Sequence, residues 1–253
     1  MRRTFFVCSL ALLLIPGAAA AQSRPVAETI ELADADPMIT DAQVVYQTWR
    51  SLQRQARTEA GDLALQETID AVFDSQTGAW KARQDVTLDR QLGAGEWQRT
   101  IQNLETNGRI ADRAEWDGLQ EQWSRLLGDT FKSRVEDPAM PLALLKNMQP
   151  TGLAHEVLLK GARHWRIDMV PLQPDAAYDR VTLWVHQESG HLSRTRAEAQ
   201  LPHSSIVATT EYRRTLGVDV PHLRHLKGSI QTRRRSRIRS VFFDIRCMFE
   251  PAE

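Results

Sequence analysis

The segment His186-Gln-Glu188-Ser-Gly-His191 brings two imidazoles and a carboxylate within six residues, the side-chain types that hold a divalent ion. In an extended chain His186 and Glu188 share a face, but the Ser189-Gly190 turn separates them from His191, and the spacing fits no metallohydrolase motif. The pattern therefore favours solvated turn residues, and no metal or cofactor is expected. His203-Ser204-Ser205 sets hydroxyls beside an imidazole, the raw material of nucleophilic catalysis. No nucleophile elbow surrounds them and no Asp is placed to orient the histidine. With seven histidines in the chain, such neighbours arise by chance. The expectation is a protein that is not an enzyme.

The sharpest charge feature is basic. From Arg213 to Arg246 there are ten Lys or Arg residues against two acids, Asp219 and Asp244. Within a strand Arg233, Arg235, Arg237 and Arg239 would all point to one face. Such a row is either a solvated face paired with glutamates from elsewhere or an attractor for anionic lipid head groups or an acidic partner. Stacking aromatics are not interleaved with these arginines, so nucleic acid is not expected. The chain also holds seven tryptophans, most of them expected in the core because of the area each buries. Trp116 and Trp123, seven apart, would share a helix face and could line or lid a cavity. With Phe131, Met148, Trp165 and Trp184 they make up the cavity or lid candidates.

The elements that must position these residues fall into two groups. Asp41 reads as a helix N-cap, and Val45, Trp49, Leu52 and Ala56 follow at helical spacing. Leu63, Leu65, Ile69, Val72 and Phe73 read as a second helical segment after Gly61. Trp80, Ala82, Val86 and Leu88, then Trp97, Thr100 and Ile101, read as strands in hairpins ending at the Asn107-Gly108 turn. Trp116, Leu119, Trp123, Leu126 and Leu127 return to helical spacing between Arg113 and Phe131. Leu142 to Met148 suits a loop plug or one helical turn. From His155 to Phe249 period-two alternation with short breaks predicts an antiparallel meander, one face apolar and the other wet. Amphipathic helices and a one-faced sheet pack on each other.

Residues 1–22 carry Arg2 and Arg3, an apolar run from Phe5 to Ile15, Pro16 and the small stretch Ala18 to Ala21, which predicts a secretory signal peptide cleaved after Ala20 or Ala21. Cleavage would leave 232 residues with 30 basic and 32 acidic side chains, a balance that argues for neither a nucleic-acid nor an acidic-substrate role. The expected organisation is a signal peptide over 1–21, an acidic lead-in over 22–40 and a single domain over 41–253, exported to the periplasm as a monomer. Cys247 is then the one remaining cysteine; it occupies the apolar register of the last strand and is expected to be inert core.

Several stretches together resemble the outer-membrane lipoprotein-sorting family, whose members are periplasmic carriers similar to LolA and receptors similar to LolB. They are His164 to Pro174, Tyr178 to Val185, the Gly190 turn with Arg194 and Arg196, Thr209-Thr-Glu-Tyr212 and the closing Val241 to Phe249. The resemblance is best over His155 to Phe249 and extends back to Trp80. It implies an α+β fold: a curved, incompletely closed antiparallel β-sheet with amphipathic helices covering its concave face, around a cavity that accepts acyl chains. The implied partner is a lipid or lipidated protein, and an anionic membrane surface is the one that the arginines suggest. The acidic lead-in and the Trp116–Trp123 insert depart from the family, and no residue aligns with the arginine that couples sheet to helical lid in the carriers. Lipoprotein sorting is therefore a role that the resemblance suggests without residue-level support. The alternative is a periplasmic partner-binding or envelope-stress sensor domain of the same fold.

Overall fold

Alternation of apolar and polar residues runs through almost every element, and in the computed structural model each such run is a strand. Residues 38–60, 63–75, 78–90, 98–110, 141–145, 147–173, 178–201, 204–234 and 237–252 are described, all within one compact unit, Glu31–Glu253. In chain order the strands are β1 (Ile39–Asp41), β2 (Leu63–Ser75), β3 (Gly78–Arg90), β4 (Gln98–Thr106), β5 (Arg109–Ile110), β6 (Met148–Pro150) and β7 (Leu153–Leu159). Then come β8 (Ala162–Pro171), β9 (Arg180–His186), β10 (Leu192–Leu201), β11 (Ser204–Thr215), β12 (Val218–Arg234) and β13 (Arg237–Pro251). The described helices are α1 (Ala42–Glu59) and the single turn Pro141–Leu144. Neither is long and apolar enough to cross a membrane.

The strands form one open antiparallel sheet in the order β1-β7-β8-β9-β10-β11-β12-β13-β2-β3-β4-β5, with β6 paired to β8 off this path. From β7 to β13 the sheet is a meander of consecutive hairpins. Two tight turns of the sheet are built for φ above zero: Lys160 and Gly161, between β7 and β8, have φ of 54° and 78°, and Asn107 and Gly108, between β4 and β5, have 52° and 79°. These are the signs of two-residue type I′ connections. The β13–β2 pairing, from Val241 opposite Ser75 to Pro251 opposite Leu65, joins this meander to the β2–β5 hairpins.

The inner face carries the core. Leu65, Ile69, Ala71 and Phe73 of β2 lie beside Phe243, Ile245, Cys247 and Phe249 of β13, and the layer continues through Leu226, Ile206, Ala208, Ala197, Leu183 and Ile167. Asp41 caps α1 by accepting the Gln43 N–H at 2.8 Å, and the helix packs on β1, β6, β7, β8 and β12. It buries Ala42, Tyr46, Trp49 and Gln53. Leu52, expected on the buried stripe, is 41% exposed, because the stripe is turned toward Tyr46 and Gln53.

Three expectations change. Residues 63–75 form strand β2, not a helix: Leu63, Leu65, Glu67, Ile69, Ala71 and Phe73 are all buried and Val72 is exposed, a period-two pattern that a helical reading of Val72 and Phe73 hides. Residues 39 and 40, placed in the lead-in, belong to β1 and pair with His155 and Ala154. The arginines do not lie in one strand, since β12 ends at Arg234 and its antiparallel partner β13 begins at Arg237. Arg234 pairs with Arg237, Arg233 with Ile238 and Thr232 with Arg239. Arg235 lies outside the described residues, as do Trp97, the expected signal peptide, most of the acidic lead-in and the expected 113–131 helix with Trp116, Trp123 and Phe131.

Candidate functional site

Two places combine burial with polar chemistry. The first is where α1 is fastened to the inner face. Asp219, at the start of β12, is 1% exposed, and its Oδ2 accepts from Trp49 Nε1 at 3.0 Å and from the Leu192 N–H at 2.8 Å. Its own N–H donates to Gln53 Oε1 at 2.9 Å, and Arg214 Nε stands 3.8 Å from Oδ1. One carboxylate thus ties helix, β10 and β12 together. Burial pushes its carboxyl up to about 6, against the hydrogen bonds from Leu192 and Trp49 and the charge of Arg214, which pull it down.

The second place is a pocket of about 270 Å³ on the opposite face, lined by residues of β7 to β12 that include Lys160, His164, His186, Ser193, Arg194, Glu211 and His222. Two β-bulges help to build it. Leu192 pairs with Val185 and Arg194 with Trp184, which leaves Ser193 as the extra residue of β10; Glu211 pairs with Leu223 and Tyr212 with Pro221, which leaves His222 as the extra residue of β12. A bulge re-aims a side chain that regular alternation would place elsewhere. Here both extra residues line the same pocket. Leu159, one of its lining residues, forms with Val157 and Trp184 a small apolar cluster separate from the main core.

Hydrogen bonds run along one side of the pocket in a single direction. His164 Nδ1 lies 2.9 Å from the Ala162 carbonyl, which can only accept, so Nδ1 carries the proton. Burial holds the His164 imidazole below its usual range, so the ring is neutral and Nε2 accepts from the Ser193 hydroxyl at 2.8 Å. Ser193 Oγ is then free to accept from His191 Nε2, 3.2 Å away, which leaves His191 Nδ1 as the acceptor for Ser189. Burial first, then the neighbouring His186, Arg214 and His164, drives His191 down to about 4. His186 stacks on His191 with ring centroids 5.1 Å apart, and Arg214 Nη1 donates to the Ser189 carbonyl at 3.2 Å. Arg214 therefore touches both the histidine turn and the α1 anchor.

The expected solvated turn is thus half right: Glu188 is exposed, but His186 and His191 are partly buried and bonded into this chain. Among the described residues no group of three or more His, Cys, Asp or Glu side chains is arranged to hold a metal ion. His164 and Ser193 have the contact of a base and a nucleophile. The Ser193 oxygen is engaged by His191 on its other side, however, and His164 is only 3% exposed. On the far wall Glu211 accepts from Arg194 Nη2 at 2.8 Å and from Lys160 Nζ at 3.1 Å. These two cations hold its carboxyl below the usual range although burial opposes them.

Of the cavity candidates, Met148 is buried in the main core and Trp165 packs against it, whereas Trp184 belongs to the separate cluster with Val157 and Leu159. From sequence, His164, Arg194 and Glu211 entered only through the family resemblance, and none of them, nor Ser193, was given a site role. The available signal was a break in alternation at Leu192-Ser-Arg-Thr195, where Leu192 and Thr195 are both buried although three residues apart.

Asp219 and His191 bias stability in opposite directions. Asp219 titrates higher in the fold than its ordinary 3.8, so its contribution is fully present below that value and is lost as pH rises through about 6. His191 titrates lower than its ordinary 6.5, so its contribution is present above 6.5 and is lost as pH falls through about 4. A displacement of about two pH units corresponds to roughly 3 kcal/mol for the Asp219 side. Asp219→Asn keeps an oxygen for Trp49 and Leu192 but does not titrate. Urea unfolding from pH 6.5 to 4 should therefore show a steeper loss of stability in D219N than in the unaltered protein; parallel curves would contradict this assignment.

No family model matches the sequence, and no curated protein matches it. Among solved structures, the chain is similar to a domain assigned to outer membrane lipoprotein sorting from Vibrio parahaemolyticus, at a TM-score of 0.40 and 8% identity over 83% of this chain and 91% of that one. It is also similar to a LolA superfamily protein from Nitrosomonas europaea, at a TM-score of 0.35 and 8% identity over 79% and 90% of the two chains. The complex of MucA and MucB from Pseudomonas aeruginosa matches at a TM-score of 0.17 and 10% identity, over 81% of this chain and 98% of that one. At these identities and TM-scores the likeness transfers no ligand, partner or residue role to this chain.

Proposed function

We propose that the chain is an exported, non-catalytic binding protein that holds an acyl chain, of a lipid or a lipidated partner, against the apolar inner face beside α1. The observation that supports this reading is the breadth of that face. Strands stand about 4.8 Å apart, so the eight strands from β8 through β13 to β3 span roughly 34 Å. A helix with its side chains is only about 10–12 Å across. An apolar inner face much wider than α1 suits an elongated apolar ligand. Export rests on the N-terminal charge and hydropathy pattern, and the Arg233–Arg239 hairpin would draw the protein toward an anionic membrane surface. The non-catalytic reading is supported by the mutual engagement of the pocket's imidazoles and hydroxyls.

The test is native mass spectrometry of the mature chain, purified gently from the exporting host and followed by organic extraction. A stoichiometric co-purifying lipid or lipopeptide is expected. An empty protein that also fails to bind fluorescent fatty-acyl probes would shift the assignment to the partner-binding domain.

A further inference from the structure

We propose that Asp219 is a protonation-controlled clasp for α1: protonated, it holds the second half of the helix on the inner face, and ionised, it lets that half lift away. Trp49 and Gln53, one helical turn apart, both grip the sheet at this residue, through Asp219 Oδ2 and the Asp219 N–H. Beyond them the helix rests on two hairpin turns. Gly190, between β9 and β10, lies against Leu52, and Gly217, between β11 and β12, lies against Ala56; an added Cβ would stand 3.1 Å from Leu52 Cδ1 and 3.3 Å from Ala56 Cβ.

The two oxygens of the clasp are unequal. Oδ2 accepts from Trp49 and Leu192, whereas Oδ1 is buried without a hydrogen-bond partner among the described residues, and Arg214 Nε stands 3.8 Å from it, beyond hydrogen-bond reach. A negative charge on such an oxygen is relieved in one of two ways, by taking a proton in place or by moving out to water. The groups that face Asp219 are the Trp49 indole and Gln53 amide from α1, the Leu192 N–H from β10 and the Arg214 guanidinium from β11. Arg214 also faces His191, on which His186 stacks, but His191 bonds to Ser189 and Ser193 of the sheet and not to α1. Lifting the helix therefore leaves the histidine turn in place. With the carboxyl raised from 3.8 to about 6 while docked, the hold is complete below 3.8 and is lost as pH rises through about 6. The use of such a release, baring the inner face to an acyl chain, rests on the reading above. The clasp itself is tested without any ligand, so either can fail alone.

The test is native-state hydrogen exchange of the ligand-free full chain from pH 5 to 7.5, corrected for the intrinsic pH dependence of exchange. It compares the amides of residues 53–59 in α1 with those of Phe243, Ile245 and Cys247 in β13. The α1 amides should be less protected than β13 throughout, and their opening should rise about tenfold over this range, the change expected of a carboxyl that falls from about 6 to 3.8 on release. In Asp219→Asn the α1 opening should be level with pH, and in His191→Gln, which leaves the clasp intact, the rise should persist. Equal protection of α1 and β13 at every pH would mean that the helix leaves only by global unfolding and would overturn the proposal. So would a rise that survives in D219N or vanishes in H191Q. If D219N does not fold, a level α1 profile in the unaltered protein overturns it on its own.

Discussion

Gly228→Ala should lower stability by about 3 kcal/mol, near the top of the usual range for overpacking. Gly228 sits on the inner side of β12, opposite Ile206 of β11 and Phe243 of β13. A Cβ there would lie 2.0 Å from the Ser205 carbonyl oxygen and 2.5 and 2.9 Å from Phe243 Cζ and Cε1. The first neighbour is backbone held in the β11–β12 ladder, and the second is a ring 4% exposed, so neither can step aside without opening a strand pair. For a domain of this size the expected fall in Tm is roughly 6–12 °C. Gly108→Ala is the control: a Cβ there meets open space, and the φ of 79° alone should cost about 1 kcal/mol. Thermal unfolding of the two variants side by side checks the claim, and similar midpoints for both would show that Gly228 is not a close-packed crossing point.

Trp49→Ala should cost about 3–5 kcal/mol, the usual range for truncating a buried tryptophan. Trp49 is 1% exposed between α1 and the inner face, and its Nε1 supplies one of the hydrogen bonds that hold down the Asp219 carboxyl. Its removal therefore acts twice, by opening a void under α1 and by leaving a buried carboxylate with fewer donors. Trp49→Phe separates the two, since it keeps most of the ring and loses only the N–H, at about 1–3 kcal/mol for a hydrogen bond to a charged group. Both variants should move the Asp219 titration upward, because a contact that lowers it is gone. Urea unfolding together with carboxyl-resolved NMR reads both effects. An unchanged Asp219 titration in W49F would mean that the helix anchor does not depend on the indole.

Local signals reached far along this chain. The Asp41 cap, the Lys160-Gly161 and Asn107-Gly108 turns and the β7-to-β13 meander were legible because each is fixed by residues close in sequence. The β13–β2 and β1–β7 pairings were not, since nothing local says that a C-terminal strand will insert beside residues 63–75. Residues 63–75 themselves were misread because Val72-Phe73 imitates a helical pair, while the buried Glu67 interrupts the apolar half of the alternation. The pocket was hidden for a related reason. Ser193 and His222 reach it only through bulges, which alternation cannot express, and Lys160 in the β7–β8 turn meets Glu211 of β11 from 51 residues away in sequence.

The central claim is that an acyl chain lies on the inner face. Its most direct test is methyl-resolved NMR of the full chain with a stearate carrying a nitroxide near its methyl end. Relaxation broadening should fall on Leu65, Leu226 and Ile245, on the inner side of β2, β12 and β13, and should spare Leu223 and Met248, which are paired on the outer side of the same β12–β13 hairpin. Broadening confined to the outer methyls, or none at saturating probe, would contradict the account.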